Sequence, residues 1–381
     1  STAQIRVLQI INSLHAGGAE ALLKNFVLQM KENRKIQIEI CVLYSNGLFK
    51  NISFFGKRIS LNEIDSLLGF GVLDGYGKGS IVVKHSKKEL YNIIFSIDGK
   101  MWDIPMDVHD VHLTFDDRRH IVELAIKQGI AWGAAISNAK MLFFIDAKPL
   151  EYHFEFGKIR QFDISRISAN LPRTLFTGSA IIDGSDFGDN MQMTIHTILD
   201  AGKYEEYRFD SAEVNLLVTK KGIRFGEGDK TSIIFLGGNN SLLWGNVIEG
   251  GKIDLHVKGD ITKPQPLLSA LDIDVPSIEG NFSVDADIIG TSTDILGLRF
   301  SATGENASIA AVSLDSINAH GQFTDIANLV GNVIISGKNG QIGSCKTESL
   351  YVSFTTSQNK LFFRPLYVKL DIGSIQSTGV L

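Results

Sequence analysis

Apolar residues occupy every second position in two stretches of the chain, at residues 252–260 and 280–291. In the first stretch the alternating apolar residues are Ile253, Leu255 and Val257. In the second they are Phe282, Val284, Ala286 and Ile288. Because successive side chains of a β-strand point to opposite faces, a period of two collects the apolar residues on one side of a sheet. The pattern therefore predicts antiparallel strands with one apolar face.

Glycines recur at intervals in this region, and each is followed by a polar or small residue. Glycine tolerates the positive φ that tight turns require, so these dipeptides predict the ends of strands. The dipeptides are Gly259-Asp260, Gly280-Asn281, Gly290-Thr291, Gly304-Glu305 and Gly321-Gln322.

Short apolar runs of the same kind recur through most of the chain and predict further strands. They are Leu90–Ile97, Val108–Phe115, Met141–Phe144, Tyr152–Phe156, Ser179–Ile182, Met191–Ile198, Ala212–Val218, Ser232–Leu236 and Lys346–Phe354. The pattern of Arg119–Gln128 fits a helix or a strand. So many strands with almost no helix predict a mainly β fold: a sandwich, a barrel or an elongated sheet. The irregular spacing of the glycines argues against a propeller or a β-helix and favours a meander.

The first residues have a different pattern. Residues 4–11 predict a buried strand, Ala19–Lys31 a helix with apolar residues at helical spacing, and Ile36–Tyr44 a second strand. A glycine loop separates the first strand from the helix. This order predicts a short α/β segment, a βαβ unit, before the β-rich region.

Composition limits the classes of function. The formal net charge is −5 and no Lys/Arg cluster stands out, which argues against nucleic-acid binding. Two cysteines, Cys41 and Cys345, imply no disulfide framework. No run of 18 apolar residues predicts a membrane-spanning helix, and no signal peptide is visible. Because Ser1 stands where an initiator methionine is expected, we expect a fragment or a processed form.

The N-terminal segment resembles the opening of the family 4 retaining glycosyltransferases. The resemblance lies in Val7–Leu14, in Gly17-Gly18-Ala19-Glu20 and in the strand that ends at Tyr44. It implies that Gly17 and Gly18 line a cleft for a nucleotide-sugar donor, at a helix N-terminus that favours phosphate. An enzyme of that family also needs a second Rossmann domain, and no alternating βα pattern follows residue 65.

The longer, β-rich part resembles TamB and AsmA-type envelope proteins. The resemblance covers about 300 residues with degenerate motifs. These are Val257–Ile261, Pro264, Pro266, Ile288–Ser292, Leu298–Ala302 and Leu314–Gly321. It implies a curved, taco-like sheet with an apolar concave side that carries lipid chains between two membranes or assists outer-membrane assembly. An apolar sheet face gains about 0.8 kcal/mol for each CH₂ group that it covers.

Polar clusters give little indication of catalysis or metal binding. On a regular strand, the odd separation of His109 and His112 points them to opposite faces, which argues against a shared metal. Asp183–Asp189 has the composition of a calcium loop without the EF-hand spacing, and a plain turn is the simpler interpretation. No nucleophile motif is present. Tyr152, Phe154 and Phe156 share a face and predict either sheet core or the wall of a lipid groove.

These observations lead to one main expectation. Residues 1–64 form a Rossmann-like βαβ segment, and residues 65–381 form an elongated antiparallel sheet. We expect a non-enzymatic protein, without metal or cofactor, whose apolar groove binds phospholipid acyl chains or outer-membrane protein strands. The expected location is the periplasm or cell envelope, with an inner-membrane anchor outside this sequence. Expected groove residues are Phe154, Phe156, Ile253, Leu255, Val257, Phe282, Val284 and Ile288.

Two alternatives remain open. One is a nucleotide-sugar-dependent glycosyltransferase that uses Gly17 and Gly18. The other is a structural β-sandwich module, in which a second sheet closes the apolar face. An open meander would also expose unpaired edge strands, to which a client strand could add.

Overall fold

A computed structural model describes most of the chain from residue 36 onward, and its side chains mainly from residue 107 onward. The described ranges are 36–41, 50–60, 76–86, 90–101, 104–116, 119–131, 133–166, 173–186, 190–205, 207–226, 231–248, 251–270, 276–292, 295–326, 328, 330–357 and 360–380. By internal contacts the chain divides into two compact units, Ser1–Asp186 (unit 1) and Phe187–Leu381 (unit 2). The boundary predicted at residues 64 and 65 lies outside the described ranges and stays a prediction.

Unit 1 is an antiparallel meander in which each strand pairs with the next one in the sequence. A 3-10 turn, Ile164–Arg166, follows the eighth strand. The strands are β1 (Ile36–Cys41), β2 (Lys50–Ser60), β3 (Tyr76–Ser86), β4 (Leu90–Met101), β5 (Ile104–Asp116), β6 (Ile121–Ala131), β7 (Ala134–Phe144), β8 (Glu151–Phe162) and β9 (Thr174–Ser185).

Unit 2 begins with a branched antiparallel arrangement. It contains β10 (Gln192–Leu199), β11 (Gly202–Tyr204), β12 (Tyr207–Phe209), β13 (Ser211–Thr219), β14 (Gly222–Phe225), β15 (Ser232–Leu236) and β16 (Asn239–Ile248). The strands β11 and β12 form a small hairpin, and β13 pairs with β10, β14 and β15. Both β14 and β15 then pair with β16.

From β16 onward unit 2 is a simple meander of long strands, each paired with the next. One short helix, α1 (Pro264–Ala270), interrupts it after the first of these strands. The strands are β17 (Lys252–Ile261), β18 (Ile278–Ser292), β19 (Ile295–Ile309), β20 (Val312–Asp325), β21 (Val330–Ile342), β22 (Cys345–Ser357), β23 (Lys360–Leu370) and β24 (Gly373–Val380).

The prediction of a mainly β, antiparallel meander is confirmed. Each apolar run predicted between residues 90 and 354 lies in or overlaps a strand, and the undecided Arg119–Gln128 region forms β6. Of the predicted βαβ unit, only the strand β1 is described, and it pairs antiparallel with β2. The first strand and the helix of that unit lie outside the described residues. The taco-like curvature also stays a prediction.

The prediction that five glycines end strands is wrong. Gly259, Gly280, Gly290, Gly304 and Gly321 all lie inside strands. A Cβ on Gly304 would lie 2.6 Å from the Phe282 ring, and one on Gly321 would lie 2.6 Å from the Phe300 ring. These two glycines therefore make room for an aromatic side chain from the neighbouring strand, which is a packing role.

The prediction that His109 and His112 point to opposite faces is also wrong. Asp110 has a φ of 52°, and the pairing of β4 with β5 shifts at this place, so β5 contains a bulge. Both histidines are exposed, whereas Val108 and Val111, three residues apart, are both buried. A bulge adds one residue to a strand and so reverses the side-chain alternation beyond it.

Similar bulges lie next to one another across three strands of unit 2. Asn306 in β19 and Asn339 in β21 have φ of 51°, and the pairing places Asp315 of β20 opposite both. On either side of each bulge, the nearest residues of the apolar face are therefore three positions apart instead of two. Leu314 and Ile317 are such a pair in β20. The aligned bulges keep one face apolar although the alternation in the sequence is interrupted.

Candidate functional site

The most extensive feature with functional potential is the apolar side of unit 2, which we call the inner face. In β17 and β18, Leu255 lies opposite Ile288, and Val257 lies opposite Ala286. Directly opposed residues of paired strands share a face. Ile253, Phe282 and Val284 occupy the same face, so the register brings all six predicted groove residues of these two strands together. Ile253 is 9% exposed, and the other five side chains are half-buried.

The inner face continues through the neighbouring strands. Leu243 of β16 lies opposite Val257, and Leu298 of β19 lies opposite Ile288. The Phe300 and Phe323 rings stack with their centroids 6.4 Å apart. The series extends through apolar residues of the later strands, among them Ala319, Val333, Ile335, Val352, Phe354, Phe363, Leu366 and Val368.

Away from the strand ends, the described inner-face positions from β16 to β23 include no Asp, Glu, Lys, Arg or His. Eight strands contain seven inter-strand spacings of about 4.8 Å, or roughly 34 Å of pairing distance. Each leaflet of a bilayer contributes about half of a 30 Å hydrocarbon core, so an acyl chain needs about 15 Å. The inner face is therefore long enough for a complete acyl chain.

The opposite side of the same strands, the outer face, carries the charged side chains, together with exposed apolar ones such as Ile289. His256 Nδ1 lies 2.6 Å from Asp287 Oδ1, and His256 Nε2 lies 3.6 Å from Asp254 Oδ1. The Trp244 ring stacks on His256 at a centroid distance of 5.5 Å. Hydrogen bonding and aromatic stacking thus connect charged and aromatic side chains across three strands of the outer face. The sheet of unit 2 is amphipathic.

The corresponding apolar face of unit 1 is closed. Val111, Leu113, Val122 and Leu124 are at most 3% exposed. Side chains that are already buried offer a ligand no surface, so this face has the character of a core.

One of the two predicted groove residues of unit 1, Phe154, belongs to an aromatic cluster. Phe154 stacks on Tyr152 at 4.9 Å and meets Phe143 edge-on at 5.4 Å. Phe154 and Phe156 are half-buried on the same face of β8 as the buried Tyr152. The Tyr152 ring lies against Gly184, where a Cβ would be 2.3 Å from the ring. Tyr152 and Phe154 thus pack in this cluster, and a role of Phe154 and Phe156 as a groove wall stays a prediction.

A polar site that the sequence did not predict lies on the other face of β8 and β9. His153 Nδ1 lies 2.6 Å from Asp183 Oδ1, and Nε2 lies 3.0 Å from Glu155 Oε1. The hydrogen bond with Glu155, followed by that with Asp183, raises the pKa of His153. Both bonds form together when the ring carries two protons. Asp183, which the sequence placed in a turn or calcium loop, is therefore a strand residue that binds a histidine.

His153 and Asp183 line a surface pocket of about 360 Å³. Its other lining residues are Phe144, Glu151, Tyr152, Gly184 and Ser185. The pairing of β8 with β9 places His153 opposite Asp183, although 30 residues separate them in sequence. In the part of the chain that the structure describes, no group of three or more His, Cys, Asp or Glu could hold a metal ion.

The chain matches no protein-family model, no curated protein and no solved structure. Gly17 and Gly18, the predicted nucleotide-sugar contacts, lie outside the described residues, so that alternative stays a prediction. Among the described helices, none has the length and apolar character needed to cross a bilayer. The inner face of unit 2 is thus the site with the clearest chemical character: uncharged, apolar and half-buried.

Proposed function

We propose that the inner face of unit 2 binds extended acyl chains of lipids, in a non-enzymatic role. One observation carries the proposal: an uncharged apolar face continues across β16–β23, and most of its side chains remain only half-buried. Half-buried apolar side chains keep surface that a ligand can cover. About ten methylene groups with half of their surface covered would gain on the order of 4 kcal/mol.

The lack of charged side chains in the middle of the inner face favours a hydrocarbon ligand. A ligand with buried polar groups would find no charged partner in the middle of the inner face, and each unpaired group costs about 1–3 kcal/mol. A saturated chain has no such groups. Binding by a continuous surface also tolerates chains of different length, as expected for transport of membrane lipids.

The cellular role that we infer is lipid transport between membranes of the cell envelope. The support is the amphipathic meander, together with the resemblance of residues 69–381 to TamB and AsmA-type proteins. In that role the protein acts in the periplasm, with the inner face shielding acyl chains from water. Outer-membrane protein strands, the other partner that the resemblance implies, would need backbone pairing in addition to an apolar face.

Photo-crosslinking tests which surface binds the chain. Palmitic acid with a diazirine in its chain is added to the purified protein, irradiated, and the modified peptides are identified by mass spectrometry. We expect adducts on inner-face residues such as Leu255, Val284 and Phe300, and competition by unlabelled palmitate. Adducts confined to outer-face residues, or labelling that palmitate does not reduce, would contradict the proposal.

A further inference from the structure

His153 of β8 contacts two carboxylates, one with each of its ring nitrogens. Asp183 of β9 lies directly opposite His153 in the strand pairing, whereas Glu155 lies two residues further along β8. Nδ1 lies 2.6 Å from Asp183 Oδ1, and Nε2 lies 3.0 Å from Glu155 Oε1. One contact therefore connects β8 to β9, and the other orients the ring along β8. We call these three side chains the histidine clamp.

Both contacts are hydrogen bonds at the same time only when the imidazole ring carries two protons. An ionised carboxylate can only accept a hydrogen bond, and a neutral ring has a single N–H group to donate. The bond with Glu155, followed by that with Asp183, raises the pKa of His153 above its ordinary value. The arrangement with two hydrogen bonds therefore belongs to the protonated ring.

The charged groups around the His153 ring are mostly negative. Three carboxylates share its face of β8 and β9: Glu151, Glu155 and Asp183. On β7, the residue opposite His153 is the apolar Leu142, and Lys140 lies opposite Glu155. The Lys140 ammonium lies 3.4 Å from Glu123 Oε2 of β6. Loss of the imidazolium charge therefore leaves three carboxylates on this face without the cation between them.

The histidine clamp lies in the regular part of the pairing between β8 and β9. This part is six residue pairs long, from Glu151 with Ser185 to Phe156 with Ala180. Further along β8 the register shifts twice before Phe162. Because the regular ladder is short, a side-chain contact within it is a substantial part of what connects β9 to β8.

We propose that the histidine clamp connects β9 to β8 in a proton-dependent way, so that β9 loosens as the pH rises above neutrality. The clamp goes beyond the proposed function and does not depend on lipid binding. The folded ring holds its proton more tightly than the unfolded one. The stabilisation is therefore fully present below the ordinary histidine pKa of about 6.5, and it is lost as the pH rises through the higher pKa of the folded ring.

Hydrogen exchange of the β9 amides in the full chain tests the histidine clamp. Exchange is followed by mass spectrometry from about pH 5.5 to about pH 8.5 and corrected for the intrinsic pH dependence of amide exchange. We expect the protection of β9 in the wild type, relative to that of β6, to fall at least about fivefold over this range. Glutamine keeps a side-chain donor but does not titrate, so His153→Gln should remove the pH dependence.

His112→Gln is the matched control, because His112 is an exposed histidine of β5 in the same unit. We expect this variant to keep the pH dependence of the wild type. Corrected protection of β9 that does not change with pH in the wild type would overturn the proposal. A pH dependence that survives in His153→Gln, or that the control also loses, would overturn it as well.

An NMR titration of the His153 ring in the wild type needs no variant. The nitrogen-15 shifts should show both ring nitrogens protonated at about pH 6.5, with a titration midpoint above that value. A midpoint at or below about 6.5 would show that the folded protein does not favour the protonated ring, and would overturn the histidine clamp.

Discussion

Ile288→Asp is expected to reduce retained acyl chains at least about tenfold, whereas Ile289→Asp should leave them unchanged. The two residues are neighbours in β18 and lie on opposite faces. Ile288 is half-buried on the inner face opposite Leu255, and Ile289 is 46% exposed on the outer face. A carboxylate beneath a bound chain must lose its hydration or expel the chain. A loss of about 1.4 kcal/mol already corresponds to a tenfold weaker affinity.

The comparison is made by counting bound acyl chains per protein after extraction, with circular dichroism to establish that both variants fold. Ile288→Ser adds a hydroxyl without a charge and should give an intermediate loss. The two aspartate variants carry the same change in charge. A difference in their lipid content therefore depends only on the face of the strand on which the aspartate lies. Equal lipid content in Ile288→Asp and the wild type would contradict the assignment of the inner face.

Gly245→Ala is expected to lower the stability of unit 2 by about 3 kcal/mol, which for a unit of this size lowers the Tm by roughly 6–12 °C. Gly245 lies in β16 between Phe225 and Leu255 and has a φ of 125°, which L-residues rarely adopt. A Cβ would lie 2.2 Å from the Asp254 carbonyl oxygen and 2.8 Å from the Leu255 Cα. Both are backbone atoms, so no side-chain rotation relieves the contact.

Gly379→Ala is the matched control for this substitution. Gly379 also lies in a strand, but a Cβ there would meet nothing within 4 Å. Thermal unfolding followed by circular dichroism should show a Tm close to that of the wild type for the control. If the Gly245→Ala protein has the same Tm as the wild type, the backbone conformation at residue 245 differs from that in the structure.

The alternation of apolar residues was sufficient to predict the fold class and most strands. The alternation did not predict whether a glycine lies inside a strand or in a turn, because both kinds of glycine look the same in sequence. What separates them is the neighbour across the sheet: the Phe282 ring needs the space at Gly304. That neighbour is known only once the register is known.

For the same reason, β-bulges made it impossible to predict from the sequence alone which face of a strand each side chain occupies. A period of two holds only while the strand is regular, and Asp110 interrupts β5 between His109 and His112. Asp and Asn tolerate positive φ better than other non-glycine residues, so such residues inside an apolar alternation are a usable signal for a bulge.

The accessibility of an apolar face also could not be predicted from local pattern. Val257 in β17 alternates with polar residues and is half-buried, whereas Val122 in β6 stands between Ile121 and Glu123 and is fully buried. Accessibility depends on which side chains cover a face, and local alternation does not specify them. The contact between His153 and Asp183 escaped prediction for a related reason, since it depends on the register of β8 with β9.

The most direct measurement of the central claim is the lipid content of the purified wild-type protein. The protein is extracted with organic solvent, the extract is analysed by mass spectrometry, and a parallel sample is titrated with UDP- and GDP-sugars by calorimetry. Acyl chains bound to the inner face predict about one phospholipid or more per chain and no heat from the nucleotide sugars. An extract without lipid, together with a saturable nucleotide-sugar isotherm, would contradict the account and favour the glycosyltransferase alternative.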